Sequence, residues 1–228
     1  MTPERYATIR RVLDYRQPDL TVITDEVHKG RNLSAIVRTC DAVGIPRLHC
    51  VEPRKGYRAY RGTALGSHKW VDTRLHNSIG AAVEEVRAQG FRVVAANLSE
   101  RAVDYRQLDY TQPTALLLGT EKEGVSPEGL EMADAEVIIP MVGMVESFNV
   151  SVAAAIILTE VRYQRQQAGL YDQSRLDQEE YQRLLFRWCQ PVVSAYCDER
   201  GLDYPPLDDE GEIVNPSGWY QQVRAEKG

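Results

Sequence analysis

Three short segments of this 228-residue chain set polar side chains where chemistry is favoured. The first, Asn32-Leu-Ser-Ala-Ile-Val-Arg38-Thr39, places an amide and a guanidinium at the head of an apolar-striped helix. The second, Leu116-Leu-Leu-Gly119-Thr120-Glu121-Lys-Glu-Gly124, runs an apolar strand into a glycine turn. That turn brings backbone N–H groups and the Glu121 carboxylate to a strand's carboxyl end, where open α/β sheets bind ligands. The third is Ile138-Ile139-Pro140-Met141, then Gly143, then Ser147-Phe148-Asn149-Val150. Polar Ser147 and Asn149 stand before a wholly apolar helix, and either can cap it. Each segment alone has an ordinary reading: Asn32 as a helix cap, Arg38 as a solvated charge, Glu121 as part of a βα turn. All three in this order are far less common by chance.

The motifs that are missing narrow the chemistry. No GxGxxG follows the first strand, which removes the usual dinucleotide fingerprint, and no P-loop, HExxH or GxSxG occurs. Cys40, Cys50, Cys189 and Cys197 form no CxxC pair and have no histidine at ligand spacing, so free thiols and no metal are expected. No apolar stretch of leader type occupies the first twenty residues, and the run from Val150 to Val161 is too short to span a bilayer. A soluble, cytoplasmic protein is expected.

The net charge of −6 argues against a nucleic-acid partner, but its distribution does not. Between His28 and Trp70 nine Lys or Arg face two acids, a local charge of +7. Within it, Arg54-Lys55-Gly-Tyr-Arg58-Ala-Tyr-Arg61 interleaves four cations with two tyrosines. Cations meet phosphates and aromatic rings stack on exposed bases. Arg10, Arg11 and Arg16 extend this candidate RNA surface.

These segments need elements to hold them. Thr2 caps and Pro3 opens an N-terminal helix closed by Pro18, within an extension over residues 1–18. Apolar runs at Leu20–Ile23, Leu48–Val51, Phe91–Ala96, Ala115–Leu118 and Glu136–Pro140 read as buried strands. Helices are expected at Leu33–Val43 with Asn32 as N-cap, at Ala81–Gln89, after Ser126-Pro127, and at Val150–Gln167. The alternation predicts an α/β domain over 19–169, with a mostly parallel sheet covered by helices on both faces. The first half of Val150–Gln167 is apolar on nearly every side and should be buried. A chain of this size rarely encloses a helix fully, so a dimer interface is expected there. Residues 170–228 read as a helical tail with elements at Leu176–Trp188 and from Pro191, too short for a core of its own.

The three segments resemble the three motifs of the SpoU branch of the SPOUT RNA methyltransferases, and the similarity runs nearly end to end. Within the branch the chain is most similar to the enzymes that methylate guanosine 18 of transfer RNA. The resemblance implies a C-terminal trefoil knot over roughly 115–167, which physical reasoning alone would not propose, since true knots are nearly absent from proteins. It implies a homodimer, no metal, and S-adenosylmethionine held by segments around Ala96, Asn97, Leu98, Gly119, Glu121, Gly124, Ile139, Met141 and Phe148. It puts Arg38 at the ribose 2′-oxygen, where the family's proposed mechanism makes it the base. A guanidinium keeps its proton in water, so we assign Arg38 to holding RNA phosphate and stabilising the oxygen as its proton leaves. Asn32 would orient Arg38 or the substrate, while Glu121, Ser147 and Asn149 would fix the cofactor and the second-motif loop. The alternatives are ribosomal RNA as substrate, an RNA-binding protein without catalysis, and a flavodoxin-like small-molecule binder.

Overall fold

The computed structural model describes residues 1–52 and 69–225, and these divide between two compact units, Arg16–Gln173 and Met1–Tyr15 with Ser174–Gly228. In the larger unit the chain runs β1 (Leu20–Thr24), α2 (Gly30–Ala42), β2 (Arg47–Val51), β3 (Asp72–His76), α3 (Ile79–Ala88), β4 (Arg92–Ala96), β5 (Val103–Asp104), β6 (Thr114–Leu118), α4 (Pro127–Glu131), β7 (Ala135–Ile138) and α5 (Val150–Gln167). The helix α1 (Pro3–Asp14) precedes it, and α6 (Gln178–Cys189), α7 (Pro191–Arg200) and α8 (Pro216–Ala225) follow.

The seven strands form one parallel sheet in the order β3-β2-β1-β6-β4-β7-β5. Central β1 and β6 are buried at every residue, which is why their sequences show apolar runs rather than alternation. Alternate residues of each strand feed the two layers. Val22 and Leu116 join Leu33, Ile36, Val37 and Cys40 of α2 and Ile157 and Leu158 of α5 on one face. Ile23 and Leu117 join Ile79, Val83 and Val86 of α3 on the other. Each such side chain contributes about 1.5–3 kcal/mol on leaving water. The edge strands β3 and β5 have no counterpart in the sequence reading. The segment Asp72–His76 is mostly exposed and polar, and its pairing with β2 is helped by an Arg47–Asp72 ion pair at 3.0 Å.

Several boundaries move, and two assignments change. α2 begins at Gly30, so Asn32 lies inside the helix and does not cap it. Lys29 holds the cap position without a side-chain bond. α3 starts two residues early because Ser78 caps it, accepting from Ala81 N at 3.2 Å. Arg16 is wholly buried and therefore is not part of an RNA surface. Its guanidinium donates to Asp41 at 2.7 Å and to the Trp70 and Ile45 carbonyls at 3.0 and 3.2 Å. Burial pushes its pKa down against the pull of Asp41.

The helix α5 is only half buried in the single chain. Val150, Ala154, Ile157, Leu158 and Val161 pack inward, whereas Val152 is 43% exposed. Its outer side and α2 line an open, mainly apolar groove with Ala35, Thr39, Tyr105, Ala155 and Ile156. Among the described residues no helix is long and apolar enough to cross a membrane.

In the smaller unit α1 packs on α6, and α6 on α7. Ile9 and Leu13 from α1 and Leu185, Phe186 and Trp188 from α6 are buried. The tail shares its core with α1. Thr2 caps α1 as expected, accepting from Arg5 N at 3.3 Å. Arg10 and Arg11 lie exposed on α1, with the Arg10 guanidinium 5.9 Å from the Tyr6 ring centre.

Candidate active site

The carboxyl ends of β4, β6 and β7 open into one cavity of about 350 Å³. All nine residues expected to hold a cofactor line it: Ala96, Asn97, Leu98, Gly119, Glu121, Gly124, Ile139, Met141 and Phe148. Three backbone segments make the walls, and the sequence explains why they fit together. A Cβ on Gly119 would lie 2.0 Å from the Gly124 backbone and 2.1 Å from Val125 N, so only glycine lets the turn fold back on itself. The return is closed by paired hydrogen bonds between Thr120 and Gly124, at 2.8 and 3.0 Å, with Gly124 at φ +69°. The result is a slot lined by the 119–124 turn and by the apolar residues Leu98, Ile139, Phe148 and Ile157.

Side chains from all three sequence segments meet at its mouth. Asn32 donates to Glu121 at 3.1 Å and accepts from Asn149 at 3.1 Å, and Asn149 donates also to Glu121. Asn149 is simultaneously the cap of α5, its carbonyl oxygen accepting from Ser151 N at 2.9 Å. One carboxylate and two amides therefore tie the start of α2, the glycine turn and the start of α5 together. The Lys29 ammonium completes the cluster on Glu121. Sequence reasoning missed Lys29, although its place beside Gly30-Arg31-Asn32 was a usable signal. Ser147 is exposed on the cavity rim. Arg38 is exposed on α2, on the side away from buried Leu33, Ile36 and Cys40. Arg54, Lys55, Arg58 and Arg61 lie outside the described residues.

Behind the cavity, Glu136 of β7 is buried and accepts from Asn97 at 2.9 Å, from Ser99 at 2.7 Å and from Arg101. The Asn97 and Ser99 hydrogen bonds, more than the Arg101 charge, hold its carboxyl below the usual glutamate range. Among the described residues, one further group, on the α3 side of the sheet, assembles metal-type ligands: His49, His76 and Glu85. Its geometry is that of a direct hydrogen bond between His49 Nδ1 and His76 Nε2, 2.9 Å apart, with near-parallel rings 22° from coplanar. Glu85 is engaged by Arg74 at 2.9 Å. Burial, then His76, push the His49 pKa down to about 4. The four cysteines are free thiols, and burial raises the pKa of Cys40, Cys189 and Cys197.

Comparison with known proteins is consistent with this arrangement. A model described as the SpoU rRNA methylase family matches residues 19–159, and one described as SpoU, rRNA methylase, C-terminal matches 163–216. The tRNA (guanosine(18)-2′-O)-methyltransferase of Escherichia coli is 47% identical over 227 residues, 99% of each chain. That of Thermus thermophilus is 53% identical over 187 residues, 82% of this chain and 96% of its own. A crystal structure of the TrmH/SpoU tRNA modifying enzyme of A. aeolicus superposes with a TM-score of 0.75 at 43% identity, covering 86% of this chain and 96% of that one. The SpoU methyltransferase AviRb of Streptomyces viridochromogenes, solved with its cofactor AdoMet, superposes with a TM-score of 0.59 at 28% identity over 68% of this chain and 62% of that one.

Proposed function

Because the chain belongs to the SpoU methylase family, we propose that it transfers a methyl group from S-adenosylmethionine to the ribose 2′-oxygen of guanosine 18 in transfer RNA. The observation that carries this reading is the joining of Asn32, Glu121 and Asn149 at the mouth of one slot. Relatives bearing that activity cover nearly the whole chain.

The slot suits the cofactor. Its size falls within the roughly 300–1,000 Å³ of small-molecule sites, which are mostly apolar with a few fixed polar groups. Peptide groups of 96–98 and 119–124 can read the edge of a base, while Leu98, Ile139 and Phe148 can cover its faces. Glu121, Glu123 and Glu146 line the cavity against Lys122, and with Glu121 paired to Lys29 the balance of the lining is acidic by one, which suits a cationic sulfonium. Bound S-adenosylmethionine supplies a methyl group already activated on a sulfonium, so the chain's residues have only to position the nucleophile and manage its proton. Positioning contributes up to about 7–11 kcal/mol in well-oriented reactions. Arg38, cationic and exposed, binds the RNA phosphate and stabilises the 2′-oxygen as its proton leaves. Asn32, Glu121 and Asn149 fix α2 relative to the slot, and with it the height of Arg38. Ser147 on the rim meets the cofactor or the ribose.

RNA is held by Arg54, Lys55, Arg58 and Arg61, aided by Arg10 and Arg11. The exposed side of α5 is covered by a second copy of the chain, so that each site draws residues from two subunits. Its bare Val152 beside Ala155 and Ile156 supports this. A trefoil knot over roughly 115–167 follows from the family. What supports it is the path of 139–149, which leaves β7, lines the slot past the ends of β4 and β6, and returns as α5 against α2. Free thiols and a tRNA substrate favour the cytoplasm.

The test is incubation with labelled S-adenosylmethionine and either unmodified tRNA or ribosomal RNA, followed by mapping of the label. A methyl on the 2′-oxygen of guanosine 18 is expected. Label confined to ribosomal RNA, or no transfer, refutes the reading.

A further inference from the structure

The buried carboxylate of Glu136 is unused by the chemistry above, and its partners are unusual. It sits in β7 with its side chain 5% exposed, and it stands outside the slot. A buried carboxylate must gather hydrogen bonds to offset lost hydration. Glu136 gathers them from one place. Asn97, Ser99 and Arg101 all belong to the loop that follows β4. None of the three donors comes from a helix covering the sheet. The same loop is a wall of the slot, through Asn97 and Leu98.

Asn97 links the two structures. Its amide nitrogen donates to Glu136, and its main-chain N–H donates to the Val137 carbonyl at 3.0 Å. Its side-chain oxygen lies 3.5 Å from where a Cβ on Gly124 would stand, so it abuts the opposite wall. Glu136 thereby bonds the very residue that faces the 119–124 turn. Ser99 holds the loop's far side, and the Arg101 guanidinium closes over the carboxylate from solvent with its own side chain 76% exposed.

We propose that Glu136 is a positioning residue for the cofactor: by latching residues 97–101 it fixes the width of the slot, and it acts on S-adenosylmethionine affinity through Asn97 and Leu98 without touching the ligand. This rests on the cofactor reading of the slot. A residue that merely stabilised the sheet would alter unfolding and leave ligand affinity in the folded protein alone. A latch changes affinity in the folded protein.

The measurement is the Kd of S-adenosylhomocysteine by calorimetry, with the KM for S-adenosylmethionine and kcat measured at saturating tRNA. Glu136→Ala frees all three donors and should raise Kd and KM about tenfold, the factor that about 1.4 kcal/mol represents. The change in kcat at saturating cofactor should be smaller than that in KM, and tRNA affinity should stay at the wild-type value. Glu136→Gln keeps one acceptor oxygen and should fall between. Arg101→Ala removes only the outer, solvated contact and should have the smallest effect. Should Glu136→Ala not fold, the Ser99→Ala/Arg101→Ala double variant carries the test, with the same direction expected. An unchanged Kd in whichever of these folds overturns the latch, as does a rise in Kd matched by an equal loss of tRNA affinity. A wild-type protein that does not bind S-adenosylhomocysteine refutes the cofactor reading itself, and the latch with it.

Discussion

Removing the Glu121 carboxylate is the most direct test of the cluster that joins the three segments. Glu121→Ala deletes the acceptor for the Asn32 and Asn149 amides and the partner of Lys29. These three losses are unequal. Lys29 is 58% exposed, so its ion pair is worth about 0–1 kcal/mol and is weakened by salt. Asn149 is exposed and can take water in place of the carboxylate. Asn32 is buried and cannot, so its bond to a charged acceptor sets the cost, at about 1.5–3 kcal/mol. The sum expected is about 1.5–4 kcal/mol. Both amides donate to the same oxygen, Oε1, so Glu121→Gln keeps an acceptor for each, loses the Lys29 pair and the charge, and should cost about half as much or less. The assay is urea unfolding followed by circular dichroism, arranged as a double-mutant cycle with Asn32→Ala. Direct contact predicts a coupling of about 1–2 kcal/mol, beyond the roughly 0.3–0.5 kcal/mol within which independent sites add. Additive single variants would show that the cluster carries no coupling, and the account of how α2 is held over the slot would fail with it.

Three further outcomes follow from the same structure. Arg38→Ala should fold and bind S-adenosylhomocysteine normally, with stability changed by about 0.5 kcal/mol or less, because the side chain is exposed. Single-turnover methyl transfer at saturating tRNA should nonetheless fall by about 10²–10³-fold, and Arg38→Lys should not restore it, since an ammonium lacks the planar fork; near-wild-type turnover by either variant would move the role elsewhere. In analytical ultracentrifugation at micromolar concentration the wild type should sediment as a dimer and Val152→Lys as a monomer; a monomeric wild type contradicts the interface on α5. His49 enters the fold neutral, with its pKa pushed down by burial from 6.5 to about 4. The unfolded chain therefore takes up a proton that the folded chain refuses, and stability should decline as pH falls from about 6.5 to about 4, by at most about 1.4 kcal/mol per pH unit. His49→Gln should flatten that slope, and a slope equal to that of the wild type would mean that other groups set it.

The parts of the fold that the sequence discloses are those whose burial leaves a compositional trace. β1 and β6 read as apolar runs because both of their faces are covered, and Thr2, Ser126 and Asn149 announce helices because capping needs their short oxygens. β3 leaves no trace. An edge strand with Asp72, Thr73 and Arg74 largely in solvent looks like a loop until its pairing with β2 is seen. The buried Arg16 was misread for the opposite reason, since charge in a sequence says nothing about the carbonyls of Ile45 and Trp70 that will receive it. That α1 completes the tail's core leaves no local trace either, because it comes from the far end of the chain.

The most instructive misreading is Asn32. An asparagine ahead of an apolar stripe has the look of a cap, yet the cap position falls three residues earlier, at Lys29, whose side chain makes no bond to the helix backbone. The helix forgoes the favoured capping residue, and Asn32 spends its side chain on Glu121 and Asn149, far away in sequence. Asn149 does cap its helix, and its remaining amide hydrogens go to the same cluster. Local preference is satisfied at one end of the cluster and set aside at the other. Folds break local rules where something else needs the side chain. That break falls at the mouth of the slot, beside the turn that only Gly119 permits. The local pattern fits a cap and a cluster member equally well, and only the pairing of segments some ninety and more residues apart distinguishes the two.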